Sequence, residues 1–197
     1  MTKKIVCIGN CQAASIAKYL FEILDNYSVK YVPYNDNFIK KMFLHETNKY
    51  YSSQFIFLTV FDKKDAIETL MESDIIIYQN IKKETSPLFN EEKIYEYNEN
   101  CIKVSLPSIR LDYNDYLNSL KELKFREKIK NNNIIVSDII EENTDKRLML
   151  LNKSHPNTFF FMQILNKILE KINENKISIE KYNFFMENNN YIGLSIT

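Results

Sequence analysis

The sequence has little glycine, no tryptophan and no excess of charge: of its 197 residues only two are glycine, and 26 basic side chains balance 26 acidic ones. A net charge of zero does not favour binding to nucleic acid or to an anionic membrane, so neither is an expected partner, although the net charge leaves a local basic patch open. No apolar run approaches a membrane span, and the run behind the N-terminal lysines is too short for a secretory signal. These absences predict a soluble, cytoplasmic protein.

Cysteine is also scarce. Cys7, Cys11 and Cys101 make an odd number without the spacing of a disulfide framework, which fits a reducing compartment. No metal site is predicted, because no second pair of Cys or His residues accompanies Cys7 and Cys11. With 45% hydrophobic residues, the chain can build one ordinary core, and residues 1–197 are expected to form a single domain.

Short apolar runs alternate with helical patterns along the chain. Apolar residues 5–8 predict a strand buried on both faces, and the spacing of apolar residues over 13–24 predicts a helix directly after it. A second strand at 29–32 completes a βαβ unit. The order predicts an α/β fold with three layers, α/β/α, around a mostly parallel central sheet.

The remaining elements are predicted from period and from cap residues. In the first half of the chain they are a loop with a short helix at 35–53, a strand or buried loop at 55–61, a helix at 65–72 and a strand at 74–79. A strand at 102–106 and a helix at 113–124 follow, and then a helix that Ser137 caps at its N-terminus and that runs to about Leu151. The last predicted helix has Pro156 in its first turn, and its inward stripe consists of Phe161, Leu165, Ile168 and Ile172.

Ligands of such sheets bind beyond the carboxyl ends of the strands, which directs attention to the Gly-Asn-Cys-Gln turn at 9–12. A glycine permits a tight turn and close approach there. Cys11 would begin a helix, where free N–H groups and the helix dipole favour an anion. This predicts a lowered pKa and a reactive thiolate. The alternative is a small buried residue at a tight turn, as expected for Cys7 and Cys101.

Two other segments carry candidate polar groups. Gln79 and Asn80 end the third predicted strand, where an amide can stabilise an oxyanion or simply form the turn. His155 lies three residues after Asn152, on the way into the last predicted helix. Cys, His and Asn form a known set of nucleophile, base and orienting residue. The alternative for His155 is a role in capping the helix.

Five segments occur in an order that resembles a known family: Ile-Gly-Asn-Cys-Gln-Ala at 8–13, Ser-Asp-Ile-Ile-Ile-Tyr-Gln at 73–79, Leu-Pro-Ser-Ile at 106–109, Phe-Arg-Glu at 125–127 and His-Pro-Asn at 155–157. Over residues 3–172 the sequence resembles the WcbI-type polysaccharide biosynthesis enzymes, acetyltransferases of bacterial capsule assembly. The layout also looks like that of the SGNH hydrolases. Cys11 stands where those enzymes have serine, and Asn152 where they have aspartate, which argues against a plain serine esterase.

The resemblance implies transfer of an acyl group, in the first place acetyl, from CoA to a sugar hydroxyl. Cys11, His155 and Asn152 would be catalytic, with Cys11 either carrying the acetyl group or only lining a site where His155 activates the sugar. Residues implied around the cofactor are Gly9, Asn10, Gln12, Gln79, Asn80, Ser108, Arg110 and Arg126. The alternatives are a glycan or small-ester hydrolase with the same Cys-His centre, and a binding module without activity.

Overall fold

The computed structural model describes residues 2–34, 58–129, 133–143, 150–152 and 155–188. Its strands are β1 (Lys3–Gly9), β2 (Tyr27–Pro33), β3 (Ile75–Gln79), β4 (Ile102–Leu106), β5 (Leu150–Asn152) and β6 (His155–Pro156). Its α-helices are α1 (Cys11–Ile23), α2 (Lys63–Met71), α3 (Glu91–Tyr97), α4 (Tyr116–Ile129), α5 (Val136–Asn143), α6 (Thr158–Lys171) and α7 (Ile179–Glu187), and a 3-10 turn (Tyr113–Asp115) precedes α4.

Four of the described strands form a parallel sheet in the order β2-β1-β3-β4. β1 pairs with β2 along its whole length, so that Gly9 lies opposite Pro33. On its other side β1 pairs with β3. The predicted strands at 5–8, 29–32, 74–79 and 102–106 are confirmed, and so is the α/β fold class with its parallel sheet.

Helices lie on both sides of this sheet. Because side chains alternate along a strand, each face has its own set of residues. Val6, Ile8, Val32, Ile76 and Tyr78 form a buried cluster with Ala66 and Leu70 of α2 and Ile94 of α3. Helix α1 packs against β1 and β2. At its N-terminal turn Gln12 bonds Gln79, whose position in β3 alternates with those of Ile76 and Tyr78 and so belongs to the other face of the sheet. This arrangement confirms the three layers that the sequence predicts.

The chain divides into two compact units, residues 1–103 and 104–197. In the second unit α6 supplies much of the core, and its predicted inward stripe is fully buried: Phe161, Leu165, Ile168 and Ile172. Each such side chain stabilises the fold by about 1.5–3 kcal/mol relative to exposure. That residues 1–197 behave as a single domain stays a prediction.

The predicted helix that Ser137 was expected to cap is different in the structure. Helix α5 begins at Val136, so Ser137 lies inside its first turn and is not the N-cap. The backbone N–H groups of Val136 and Ser137 donate to the Glu127 carboxylate, which takes over the capping function. The helix ends at Asn143 instead of near 151; residues 144–149 lie outside the described part, and 150–152 form a strand.

The last predicted helix also begins later than expected. Pro156 belongs to β6, and Asn157 caps α6 by accepting a hydrogen bond from the Phe160 N–H. A side-chain acceptor at Asn157 satisfies a free amide at the helix start, which Pro156 cannot do. A further helix, α7, follows α6, so α6 is not the last.

Other boundaries shift by a few residues. The helix predicted at 113–124 extends to Ile129, and α2 runs from Lys63 to Met71. In the segment predicted as a strand or buried loop, Thr59 forms a single parallel bridge with Tyr31. The loop and short helix predicted at 35–53 lie outside the described residues. Within those described, no helix combines the length and apolar character needed to cross a bilayer.

Candidate functional site at the Cys11 turn

Gly9 ends β1 with a backbone conformation and a contact that exclude a side chain. Its φ is +156°, and a Cβ atom there would lie 2.8 Å from the Cβ of Ala13 and would overlap the side-chain amide of Gln79. The first helical residues and β3 therefore approach the strand end more closely than any other residue type allows. The scarce glycine has the role that the sequence predicts.

A network of side-chain amides holds the turn after Gly9. The Gln79 Oε1 accepts a hydrogen bond from the Asn10 N–H at 2.7 Å, and the Gln79 Nε2 donates to the Gln12 Oε1 at 3.0 Å. Asn10 caps α1, its side-chain oxygen accepting from the Gln12 N–H at 2.8 Å. Gln12 and Gln79 are both only 3% exposed. The structure thus brings together Gly9, Asn10, Gln12 and Gln79, and these bonds fix the backbone that carries Cys11.

Tyr31 is a member of this site that sequence reasoning missed. Its hydroxyl donates to the Gly9 carbonyl at 2.9 Å, and the side chain is completely buried. Burial is the main reason why the pKa of Tyr31 is well above its usual range, and the nearby Cys11 raises it further. The available signal was a hydroxyl within the apolar run 29–32, on the strand expected to pair with β1.

Cys11 begins α1 and is half-buried. Burial raises the pKa of its thiol, although hydrogen bonds from the backbone N–H groups of Gln12 and of Cys11 itself lower it. The predicted low pKa of Cys11 is therefore wrong. The helix start does supply favourable N–H groups, but the loss of solvent around the sulfur outweighs them.

The other two cysteines differ from Cys11 in their surroundings. Cys7 is fully buried in β1, and burial raises the pKa of its thiol far above the usual range. Cys101 is half-buried just before β4, and its sulfur donates to the Asn98 carbonyl at 3.5 Å. Cys7 is the buried structural residue that the sequence predicts, while Cys101 is only partly covered.

The remaining cofactor candidates are spread over the chain. Asn80 is half-buried directly after β3. In the second unit, Ser108 and Arg110 are exposed after β4. Arg126 is half-buried on α4, and its Nε donates to the Glu122 carbonyl at 3.4 Å. Its neighbour Glu127 is buried and bonded to α5, so the carboxylate serves the helix and not the cofactor.

For Asn152 and His155 the structure describes the backbone. The two residues pair directly in the antiparallel ladder between β5 and β6, and their side chains lie outside what the structure describes. Paired residues of an antiparallel ladder lie opposite each other across the two strands. Their expected joint role stays a prediction. Among the described residues, no group of three or more His, Cys, Asp or Glu side chains is arranged to hold a metal ion.

A solved structure of WcbI, described as a novel polysaccharide biosynthesis enzyme, is similar to this chain with a TM-score of 0.59 and 13% sequence identity. The similarity covers 92% of this chain and 73% of that one. That structure is described as the native protein without a disulfide bond between CoA and one of its cysteines. At this identity the similarity shows a common fold. No protein-family model matches the sequence, and neither does any curated protein.

Proposed function

We propose that this protein is an acyltransferase of polysaccharide biosynthesis that moves an acetyl group from CoA to a sugar hydroxyl. The observation that carries the proposal is the Cys11 turn: a partly accessible thiol at a helix start, held by a buried network of Gln12 and Gln79. The sequence motifs and the common fold with WcbI, whose description mentions CoA and a cysteine, support the same assignment.

The residues present fit a thioester cofactor. Cys11 is a half-buried residue at the start of α1, where the helix dipole favours negative charge on a ligand. Arg110, exposed after β4, and the half-buried Arg126 are the basic residues we assign to the phosphates of CoA, with Ser108 as a neighbouring hydroxyl donor. Bound acetyl-CoA would supply an acetyl group already activated as a thioester.

The raised pKa of Cys11 makes a base necessary. With its proton retained at neutral pH, the thiol is a poor nucleophile until another group removes that proton. We assign this step to His155, with Asn152 orienting the imidazole. The Cys11 sulfur would then take the acetyl group as the bond from that group to the CoA sulfur breaks, and the proton held by His155 would pass to the released CoA sulfur. In the second half of the reaction His155 would take the proton of the sugar hydroxyl as the ester forms, and the Cys11 thiolate would leave and recover its proton from His155.

The negative charge that develops on the carbonyl oxygen needs hydrogen-bond donors. We assign these to the Cys11 backbone N–H and to Asn80, which follows β3. Gln79 acts one step further away. Its Oε1 is bonded to the Asn10 N–H and its Nε2 to Gln12, so it positions the turn instead of contacting the ligand.

A second route uses the same residues without a covalent intermediate. His155 would take the proton of the sugar hydroxyl as its oxygen attacks the thioester, the CoA sulfur would leave with that proton, and Cys11 would only line the site. The two routes differ in one observable: the first leaves an acetyl group on Cys11 when no acceptor is present.

Intact-mass analysis after incubation with acetyl-CoA tests both the assignment and the route. We expect the wild type to gain one acetyl group and Cys11→Ala to gain none. Cys101→Ala is the matched control, since Cys101 is the other half-buried cysteine, and it should gain the group as the wild type does. Thermal unfolding with and without CoA reports binding independently of acetylation.

The outcomes separate the alternatives. A thermal shift by CoA without an adduct would favour the direct route. Neither an adduct nor a shift would overturn the CoA assignment. Release of acetate from a simple ester, unaffected by CoA, would show a hydrolase instead.

A further inference from the structure

A cavity opens at the carboxyl end of β2, within the first unit. It has a volume of about 140 Å³ and lies between the end of β2, the start of α2 and the loop before α3. The lining residues that matter for its chemistry are Tyr34, Phe61, Asp62, Lys63, Thr85 and Phe89. The lining residues that the structure describes include none of those assigned to the acyl transfer.

The position of this cavity relates it to the Cys11 turn. Its wall includes Pro33, which pairs with Gly9 in the sheet. Neighbouring strands are about 4.8 Å apart, so the cavity begins about one strand spacing from the residue that opens the turn. A ligand seated in it would therefore lie beside the end of β1.

The charges of the lining favour a neutral ligand. Among the lining residues that the structure describes, Asp62 and Lys63 are charged, and their formal charges cancel. The Asp62 Oδ1 caps α2 by accepting from the N–H groups of Lys64 and Asp65. A carboxylate has about four acceptor sites on two oxygens. The Oδ2 can thus accept hydrogen bonds from hydroxyl groups of a ligand while the Oδ1 caps α2.

The apolar part of the lining suits a ring. Phe61 is 40% exposed, and Tyr34, which directly follows the carboxyl end of β2, is half-buried. An enclosed cavity of about 150 Å³ accepts a single benzene ring, so a volume of about 140 Å³ matches one six-membered ring. Aromatic surface together with a hydroxyl acceptor is the combination that a sugar ring, apolar on its faces and polar at its edge, requires.

We infer that this cavity is the subsite for one pyranose ring of the acceptor, with the ring against Phe61 and a hydroxyl on the Asp62 Oδ2. The inference rests on the proposed acyl transfer for its biological meaning, but sugar binding can be measured without CoA. It names the substrate class of the acceptor side, a neutral pyranoside.

Saturation-transfer NMR with methyl pyranosides of glucose, galactose, mannose and N-acetylglucosamine, at tens of millimolar, provides the test. We expect at least one of them to bind the wild type. Phe61→Ala should weaken that binding about tenfold, because it removes the aromatic surface. Phe21→Ala is the matched control: Phe21 is 37% exposed, belongs to the same unit and lies outside the cavity, so binding should not change.

A second variant separates sugar recognition from folding. Asparagine caps a helix as well as aspartate does, so Asp62→Asn should keep α2 while its single oxygen is used at the helix. We expect its sugar binding to be about tenfold weaker with unchanged thermal unfolding.

Each result bears on the inference in one direction. Absence of binding by all four pyranosides, or binding that Phe61→Ala and Asp62→Asn leave intact, would overturn it. Loss of CoA binding in Phe61→Ala would assign the cavity to CoA and also overturn it. Sugar binding that depends on Phe61 in a protein that does not bind CoA would support the subsite and reject the CoA-dependent transfer.

Discussion

At the scale of single residues, the state of the Cys11 thiol is set by two opposing effects. Backbone N–H groups at the start of α1 stabilise a thiolate, and burial of the sulfur destabilises it. Burial is the larger effect, so the pKa is raised and the thiol keeps its proton at neutral pH. The proposed chemistry then depends on a base, which is the reason for giving His155 a part in both halves of the reaction.

This balance can be measured by the pH dependence of alkylation. In a Cys101→Ala background, the slow reagent iodoacetamide should modify Cys11, because Cys7 is fully buried. A raised pKa means a smaller thiolate fraction at any pH below it, so the rate should reach half its maximum at a higher pH than in the same protein unfolded in urea. A half-maximal rate at a lower pH than in the unfolded protein would show that the helix start dominates.

At the scale of elements, the junction of α4 and α5 depends on one buried carboxylate. Glu127 is 2% exposed and accepts hydrogen bonds from the Val136 N–H, the Ser137 N–H and the Ser137 hydroxyl. Burial raises the pKa of Glu127 more than these donors lower it. Since the folded pKa lies above the unfolded one, the native state favours the protonated form. Its contribution to stability is therefore fully present below the unfolded pKa and is lost as the pH rises through the folded pKa.

Substitutions of Glu127 should reveal both effects in urea unfolding. Glu127→Ala leaves buried N–H groups without an acceptor and should destabilise the protein by about 1–3 kcal/mol. Glu127→Gln retains an acceptor and a donor, so we expect a smaller loss of stability. Because glutamine does not titrate, the decrease in the free energy of unfolding that the wild type shows between the unfolded and the folded pKa of Glu127 should be absent in this variant. Glu122→Gln, exposed on the same helix, is the control and should keep the wild-type pH profile. An Ala variant as stable as the wild type would contradict the capping function.

At the scale of the whole molecule, charge balance is the dominant electrostatic feature. Equal numbers of basic and acidic residues give a net charge of zero. Many of the described charges form exposed pairs, such as Lys4 with Glu72 and Lys83 with Glu92, which contribute little to stability. With no net charge, the molecule has no overall positive charge to attract polyanions.

Heparin chromatography checks this expectation. We expect the protein to elute at or below physiological ionic strength, with a strongly basic protein as the positive control, because polyanion binding grows with the number of cations it neutralises. Retention well above physiological salt would reveal a basic patch and would reopen nucleic acid as a partner.

The sequence by itself determined the features that depend on neighbouring residues. The strands β1, β3 and β4 follow from short apolar runs, and the α6 stripe follows from a period of three and four residues. The glycine at the end of β1 marked the turn with Cys11 correctly. Each of these signals lies within one segment, so no knowledge of the fold is needed to recognise it.

Only the tertiary structure decided the features that join distant segments. Gln79 donates a hydrogen bond to Gln12, 67 residues away in the sequence, because β3 pairs with β1. No pattern of neighbouring residues predicts that bond. The start of α5 is set by Glu127 on another helix, which is why the cap predicted at Ser137 was wrong. The acidity of Cys11 was decided likewise, because its position in the sequence indicates a helix start, whereas the solvent excluded by the packed chain controls its proton.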